Sequence, residues 1–164
     1  MIGLCLAGAL ACFAWFPAAP VPQVSVDNVL VLKGQHKMIL FRKGQQICSY
    51  RVAIGRNPVG GKVRVGDHKT PEGIYVLDHK NPKSGFHLAM HISYPNSLDR
   101  ERAAKEGVPP GGDIMVHGVK HGFGWVGRLH RLVDWTDGCI AVTNAEMDQF
   151  WELVPEGTPI EIRP

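Results

Sequence analysis

The sequence predicts a mostly β domain with one or two short helices, and three observations lead to this fold class. Gly and Pro account for 19 and 12 of the 164 residues, a frequency typical of many turns between short elements. Several short runs alternate apolar and polar side chains, as half-buried strands do. Only one segment, close to the C-terminus, has the apolar spacing of an amphipathic helix. Strands should therefore build most of the core.

Composition indicates a single globular domain. Hydrophobic residues make up 45% of the sequence and charged residues 20%, which argues against a long disordered chain. The formal net charge is only +3, from 18 basic and 15 acidic residues. That charge is too small and too scattered to indicate a nucleic-acid binder. A polytopic membrane protein is equally disfavoured.

The first residues differ from the rest in being apolar and uncharged. From Ile2 to Ala19 only Pro17 interrupts a run rich in Ala and Leu, near the lower length limit of a membrane-spanning helix. We interpret residues 1–23 as a signal peptide or N-terminal membrane anchor followed by a Pro-rich linker; an ordinary buried helix is the alternative. The protein is therefore expected to be exported, to the periplasm or cell envelope, with residues 2–19 as its candidate anchor.

The strands are predicted from alternating runs separated by turn residues. Gly34 and Gly44 separate the first three runs at hairpin spacing, which predicts a β-meander within residues 24–55. Residues 55–73 contain many turn residues and predict a surface loop. The predicted strands lie at residues 29–32, 38–41, 47–54, 73–77, 87–92, 113–117 and 158–162.

Two segments are helix candidates. Residues 96–107 are rich in charge and predict a short helix or a solvated loop. Thr143 and Glu146 fit a capping box. Apolar residues then recur at helical spacing, and Pro155 ends the helix. The side chains with that spacing are Met147, Phe150, Trp151 and Val154.

The cysteines leave two thiols in the folded region. Cys5 and Cys12 belong to the N-terminal segment, whereas Cys48 and Cys139 follow it. The latter two could pair in an oxidising compartment. Cys48 lies in an alternating run and is interpreted as a small side chain on a strand, whereas Cys139 lies in a very different context.

Residues 115–144 carry the features of a nucleophilic site. A predicted strand leads into His117-Gly118, a Gly- and Trp-rich loop follows, and Thr136-Asp137-Gly138-Cys139 precedes the capped helix. A thiol nucleophile needs a base or a nearby cation, together with backbone amides for the oxyanion. All eight His residues precede Cys139, which argues against papain-like arrangements. Only Arg163 follows Cys139 among the arginines, which weakens a sortase interpretation.

These motifs together resemble the L,D-transpeptidase (YkuD-type) catalytic domain. Its pattern is a His-Gly step, a variable loop, Ser/Thr-x-Gly-Cys and a downstream Asn, here Asn144. Residues 70–75, 92–96 and 157–160 also resemble the family. The resemblance extends from about residue 27 to the C-terminus and implies a β-sandwich, with residues 24–164 as the catalytic domain.

The resemblance implies acyl transfer on peptidoglycan stem peptides. Cys139 would attack the carbonyl that joins a diamino acid residue to a terminal D-amino acid, which leaves while a thioester remains. An amine of a second stem peptide or of a lipoprotein would then accept the acyl group. His117 would accept and return the proton, and backbone amides at Gly138 and Cys139 would stabilise the oxyanion. No metal or organic cofactor and no nucleic acid is implied.

Several further residues are candidates for substrate binding: Tyr94, Gly118, His121, Trp125, Arg128, Thr136 and Asp137. Trp125 and Trp135 flank the loop. They are interpreted either as a lid or groove wall or as side chains that only pack against the fold. Asn144 is interpreted as a turn or cap residue. The family commonly has His where this chain has Asp137, and Arg where it has Ala141.

Asp137 would raise the thiol pKa unless a cation neutralises its carboxylate. The cations considered are Arg128, Arg131 and a protonated His117.

Three alternatives remain open from the sequence. Water could replace the amine, which would make the protein an L,D-carboxypeptidase or a cross-link-cleaving amidase. A zinc hydrolase could draw its ligands from His117, His121, His130, Asp137 and Cys139. The domain could also bind the cell wall without catalysis.

Overall fold

A computed structural model describes residues 25–164, and the prediction of a mostly β fold with short helices is confirmed. The strands are β1 (Asn28–Leu32), β2 (Lys37–Arg42), β3 (Gln45–Arg51), β4 (Gly73–Asn81), β5 (Ala89–Ile92), β6 (Met115–His117), β7 (Ile140–Ala141) and β8 (Thr158–Arg163). The helices are α1 (Ser97–Lys105) and α2 (Asn144–Leu153), with 3-10 segments at Lys33–Gln35 and Gly124–Leu132. The signal peptide or anchor predicted at residues 1–23 lies outside the described residues.

The strands form one curved sheet in the order β3-β2-β1-β8-β4-β5-β6-β7. The C-terminal strand β8 lies in its middle, parallel to β1 and antiparallel to β4. The ends of the sheet meet where Ala53 bridges Ala141 and Gly55 bridges Thr136. The sheet is therefore a half-barrel, and the segment that carries Cys139 lies at the seam between its ends.

Helix α2 closes the core at this seam. Thr143 and Glu146 form the predicted capping box, which satisfies amide groups that a helix start leaves unpaired. Met147 and Phe150 are fully buried among the core side chains. The helix thereby fixes the chain that follows Cys139.

Other element boundaries differ from the predicted ones for local reasons. β5 begins at Ala89 because His87 has a positive φ of 68°, a conformation that interrupts a strand. β6 begins at Met115 because Asp113 has a φ of 55°. Asn96 caps α1 through a second capping box with Asp99, so the charged segment is helical. Within residues 25–164, no helix is long and apolar enough to span a membrane.

Candidate active site

Cys139 lies at the end of a tight turn, residues 136–139, which we call the Cys139 turn. The Thr136 hydroxyl donates to the Cys139 carbonyl at 2.7 Å and accepts from the Gly138 amide at 3.2 Å. Gly138 has a φ of 130°, and a Cβ there would lie 2.5 Å from the Lys69 carbonyl oxygen. The turn therefore requires both the Thr136 hydroxyl and a glycine at position 138.

The segment after β3 holds the Cys139 turn from one side. The Thr136 amide donates to the Ile54 carbonyl at 3.2 Å, and the Arg56 amide donates to the Thr136 carbonyl at 3.0 Å. The carboxylate of Asp134 accepts from the Ile54 amide at 2.9 Å and from His36 Nε2 at 2.9 Å. The backbone before Cys139 is thus anchored to a segment about 80 residues earlier in the chain.

Cys139 lines two cavities, of about 600 and about 500 Å³. Asp113 and Asp137 are also shared by both cavities. The larger cavity has an aromatic wall and two lysines, and it contains Phe86, Met115, His117, Trp135, Lys83 and Lys120. The smaller one is lined by Lys62, Val65, Gly66, His68, Gly111, Gly112 and Ile114. A chain could therefore approach Cys139 from either side.

His117 ends β6 and shares the larger cavity with Cys139. Its ring lies 4.6 Å from the Phe86 ring and 5.7 Å from the Trp135 ring, between centroids. Its Nδ1 donates to the Gly118 carbonyl at 2.6 Å, so the neutral ring carries its lone pair on Nε2. Burial lowers the pKa of His117 below its ordinary value, against the opposing effect of the Gly118 bond. His117 is therefore a neutral, oriented imidazole whose Nε2 can accept a proton.

The Cys139 thiol is held in its protonated form. Burial raises its pKa, and the charges of Asp137 and Asp113 add to that effect. The Met115 amide and Lys62 act in the opposite direction. The Sγ atom lies 3.6 Å from the Asp113 carbonyl oxygen. At rest the pair is thus a neutral thiol and a neutral imidazole, so a thiolate forms at Cys139 only when the thiol proton is removed.

Two side chains from the loop after β3 hold the Asp137 carboxylate. Arg56 donates to its carboxylate, and His68 Nδ1 donates to the same oxygen at 2.8 Å. The Arg56 hydrogen bond is the main reason why the pKa of Asp137 is lowered, and His68 adds to it. The prediction that Arg128, Arg131 or a protonated His117 neutralises Asp137 is therefore wrong, because Arg56 and His68 are the partners of its carboxylate. Arg131 instead pairs with Glu146.

Asn144 joins the two ends of the loop between His117 and Cys139. It is the first residue of α2, and its Oδ1 accepts from the Val119 amide at 2.8 Å. A Cβ at Gly118 would lie 2.7 Å from Asn144 Oδ1, and one at Gly124 2.9 Å from Nδ2. The amide thus occupies space that only glycines leave open, a role beyond the predicted turn or cap.

The remaining predicted site residues lie in different surroundings. Tyr94 is buried, and its hydroxyl donates to the Pro110 carbonyl at 2.9 Å. His121 Nε2 donates to the Ser84 carbonyl at 2.9 Å, and Trp125 is 81% exposed. Arg128 lines a third cavity, apart from Cys139. The structure thus brings Thr136, Asp137 and His117 to the Cys139 cavities and leaves those four outside them.

The site also contains residues that the sequence analysis did not single out. Phe86 flanks His117, Arg56 and His68 hold Asp137, and Lys62 lines the smaller cavity. These residues lie in loops without periodicity. Arg56 and His68 are 81 and 69 residues from Asp137 in sequence, so no local signal could have linked them to it.

The described structure contains neither a Cys48–Cys139 disulfide nor an assembled zinc site. Within residues 25–164, Cys48 and Cys139 are both free thiols, so they are not joined to each other. Over residues 25–164, no three His, Cys, Asp or Glu side chains converge closely enough to hold a metal ion. The proposed zinc ligands are therefore not assembled in the described part of the chain.

Comparison with known proteins links this geometry to one family. The L,D-transpeptidase catalytic domain (YkuD) matches residues 27–162. The Escherichia coli (strain K12) protein named "Putative L,D-transpeptidase YafK" is 27% identical over 132 residues, which cover 77% of this chain and 46% of that protein.

Two solved structures share the fold and part of the sequence. Bd1075 from Bdellovibrio bacteriovorus is 31% identical with a TM-score of 0.60, covering 88% of this chain and 50% of that one. The helical cell shape determining protein Pgp2 from Campylobacter jejuni is 25% identical with a TM-score of 0.64, covering 86% and 51%. This chain spans about half the length of these relatives.

Proposed function

Because this chain belongs to the L,D-transpeptidase catalytic domain family, we propose that it forms a thioester with peptidoglycan stem peptides through Cys139. The observation that carries the proposal is that Cys139 and a neutral, oriented His117 line one cavity. A cell-envelope location and a contribution to cell shape, the property for which Pgp2 is named, belong to the same proposal. So does the assignment of residues 24–164 as the catalytic domain and of residues 1–23 as its export signal or anchor.

The first half of the reaction releases a D-amino acid. As Cys139 Sγ attacks the carbonyl carbon, its proton passes to His117 Nε2, and the carbonyl oxygen becomes an oxyanion. The backbone amides at Gly138 and Cys139 stabilise that charge, although the Gly138 amide is shared with the Thr136 hydroxyl. The carbon–nitrogen bond then breaks, the leaving amine takes the proton from His117, and the thioester remains.

The second half of the reaction transfers the acyl group to an acceptor. An amine attacks the thioester carbon, its proton passes to His117, and the amide forms as the sulfur leaves. The sulfur then regains its proton from His117. The two cavities that meet at Cys139 favour this proposal, because one holds the acyl donor while the acceptor enters through the other.

Hydrolysis is the second candidate function. Water would attack the same thioester and yield a carboxylic acid, as in an L,D-carboxypeptidase or a cross-link-cleaving amidase. A two-sided cleft also suits an enzyme that cleaves a cross-link, since both arms of the substrate then need space. The same pair, Cys139 and His117, would perform either reaction.

Turnover of a synthetic stem tetrapeptide tests the proposal. We expect the protein to release the terminal D-amino acid and to form a new amide when a diamino acid amide is supplied, both measured by mass spectrometry. Cys139→Ala should form neither product, and Cys48→Ser should retain both, because Cys48 faces Tyr50 rather than the cleft. Release without the new amide would assign hydrolysis. Equal turnover by Cys139→Ala would refute the proposal.

A further inference from the structure

We propose that a third cavity, separate from Cys139, binds a phosphate group in its dianionic form. The cavity has a volume of about 480 Å³ and lies between β3, the 3-10 segment Gly124–Leu132 and α2. Its lining residues are Ser49, Arg51, Arg128, Arg131, Leu132 and Glu146. None of them lines either cavity at Cys139, so the proposal does not depend on the cysteine chemistry.

The charges around this cavity do not cancel. Three guanidinium groups face one carboxylate, and Arg131 Nη2 donates to that carboxylate, Glu146. Neither Arg51 nor Arg128 forms an ion pair within residues 25–164. Two positive charges thus remain uncompensated, and a dianion is the ligand charge that balances them. Guanidinium groups also bind phosphate through paired hydrogen bonds.

Arg131 provides an independent sign of a missing ligand. Its side chain is only 10% exposed, and its buried Nε has no hydrogen-bond partner in the described part of the chain. A buried donor without an acceptor is costly and rare in folded proteins. Arg131 also lines the cavity, so an oxyanion bound there would offer its guanidinium group a further acceptor.

One of the three arginines, Arg131, is held in place before a ligand arrives. Glu146 belongs to the capping box of α2, where it accepts from the Thr143 amide at 3.0 Å and from the Thr143 hydroxyl at 2.7 Å. Because these bonds fix the carboxylate, they also fix the Arg131 guanidinium bonded to it. Arg51 and Arg128 are exposed and can close on a ligand from the rim. The volume lies within the range of small-molecule sites, so it accommodates a phosphate ester as well as the free ion.

Titration with inorganic phosphate tests the proposal directly. At neutral pH and constant ionic strength, the full chain should bind phosphate at one saturable site, followed by calorimetry or amide chemical shifts. Arg51→Gln and Arg128→Gln should each weaken binding about tenfold or more, and acetate should bind at least tenfold more weakly than phosphate. Arg100→Gln, an exposed arginine on α1, is the matched control and should leave the affinity unchanged.

Thermal unfolding of each variant establishes that it is folded. An absence of saturable phosphate binding would overturn the proposal, as would binding that both cavity variants leave unchanged. Acetate binding as tight as phosphate would overturn the assignment to a dianion.

Vesicles distinguish the two sources of such a phosphate. Phosphatidylcholine vesicles with and without phosphatidic acid are sedimented with the wild type, Arg51→Gln and Arg128→Gln. If the cavity takes a lipid headgroup, phosphatidic acid should increase binding of the wild type more than that of either variant. An equal increase in all three, together with saturable binding of free phosphate, would assign the site to a soluble phosphate ester.

Discussion

Two segments border the larger cavity at Cys139, and they are built in opposite ways. The Cys139 turn is held by Thr136, by Gly138 against Lys69 and by the backbone of residues 54–56. The loop at residues 119–133 instead contains five large apolar residues that are each more than half exposed: Phe123, Trp125, Leu129, Leu132 and Val133. A nucleophile must be held in one geometry, whereas a loop with few buried contacts can open at low cost.

Removing the proposed base, His117, should produce the largest effect on activity. We expect His117→Ala to lower turnover about 10²–10⁴-fold, because a positioned base contributes that much to a proton transfer. His121→Ala, in the exposed loop, should change the rate by less than about tenfold, since His121 itself lines neither cavity at Cys139 and its ring donates to the Ser84 carbonyl. Because burial lowers the pKa of His117, the acidic limb of the wild-type rate should lie below pH 6.5. Equal losses of turnover in the two variants would contradict the proposal that His117, and not His121, takes part in the proton transfer.

Two glycines with positive φ allow the same substitution in each segment. Gly138→Ala would place a methyl group 2.5 Å from the Lys69 carbonyl oxygen, whereas Gly122 has a φ of 83° and open space around it. We expect a loss of about 3 kcal/mol or more in the free energy of unfolding at Gly138. At Gly122 only backbone strain applies, at about 1–2 kcal/mol. Denaturant unfolding compares the two variants, and similar values would contradict a rigid Cys139 turn.

Acid should destabilise the protein through His130, the buried member of the exposed segment. Burial lowers the pKa of His130 to about 4 from an ordinary value of 6.5. The unfolded chain therefore binds a proton that the folded chain does not, so stability is complete above pH 6.5 and falls as the pH approaches 4. We expect this group to contribute a loss of about 3 kcal/mol at most.

The His130→Phe variant should lose that part of the pH dependence, measured by urea unfolding from pH 7.5 to 4. His121→Phe serves as the matched control and should retain the full dependence. An unchanged slope in His130→Phe would show that acid acts elsewhere.

The smallest expected difference in stability is between two side-chain substitutions, one in the Cys139 turn and one in the exposed loop. Thr136→Val removes the hydroxyl that bonds to the Gly138 amide and the Cys139 carbonyl, and we expect a loss of about 1–2 kcal/mol in stability. Trp125→Ala, at an 81% exposed position, should change stability by less than about 0.5 kcal/mol. Thermal unfolding of both variants checks the order, and a larger loss at Trp125 would reverse the comparison.

The same contrast explains what could be predicted from the sequence. Helix α2 was predictable because its cap and apolar spacing are local patterns, and the β-meander followed from its turns. The position of β8 between β1 and β4 was not predictable, because strand pairing over more than 80 residues leaves no local trace.

Within the site, motifs with adjacent residues were identified and long-range partners were not. His117-Gly118 and residues 136–139 are short motifs, whereas Arg56 and His68 reach Asp137 only through the fold. Tyr94 is a substrate-binding candidate in the sequence, but its hydroxyl donates to the Pro110 carbonyl and its ring packs in the core. Pairing and burial of this kind depend on tertiary contacts.

Intact-mass analysis after exposure to a carbapenem tests the central claim most directly, namely that Cys139 is an activated acyl acceptor. The wild type and Cys48→Ser should each gain one adduct of the drug's mass, and Cys139→Ala should gain none. Folded, reduced wild type that gains no adduct, or an adduct that persists in Cys139→Ala, would contradict the assignment of Cys139 as the nucleophile.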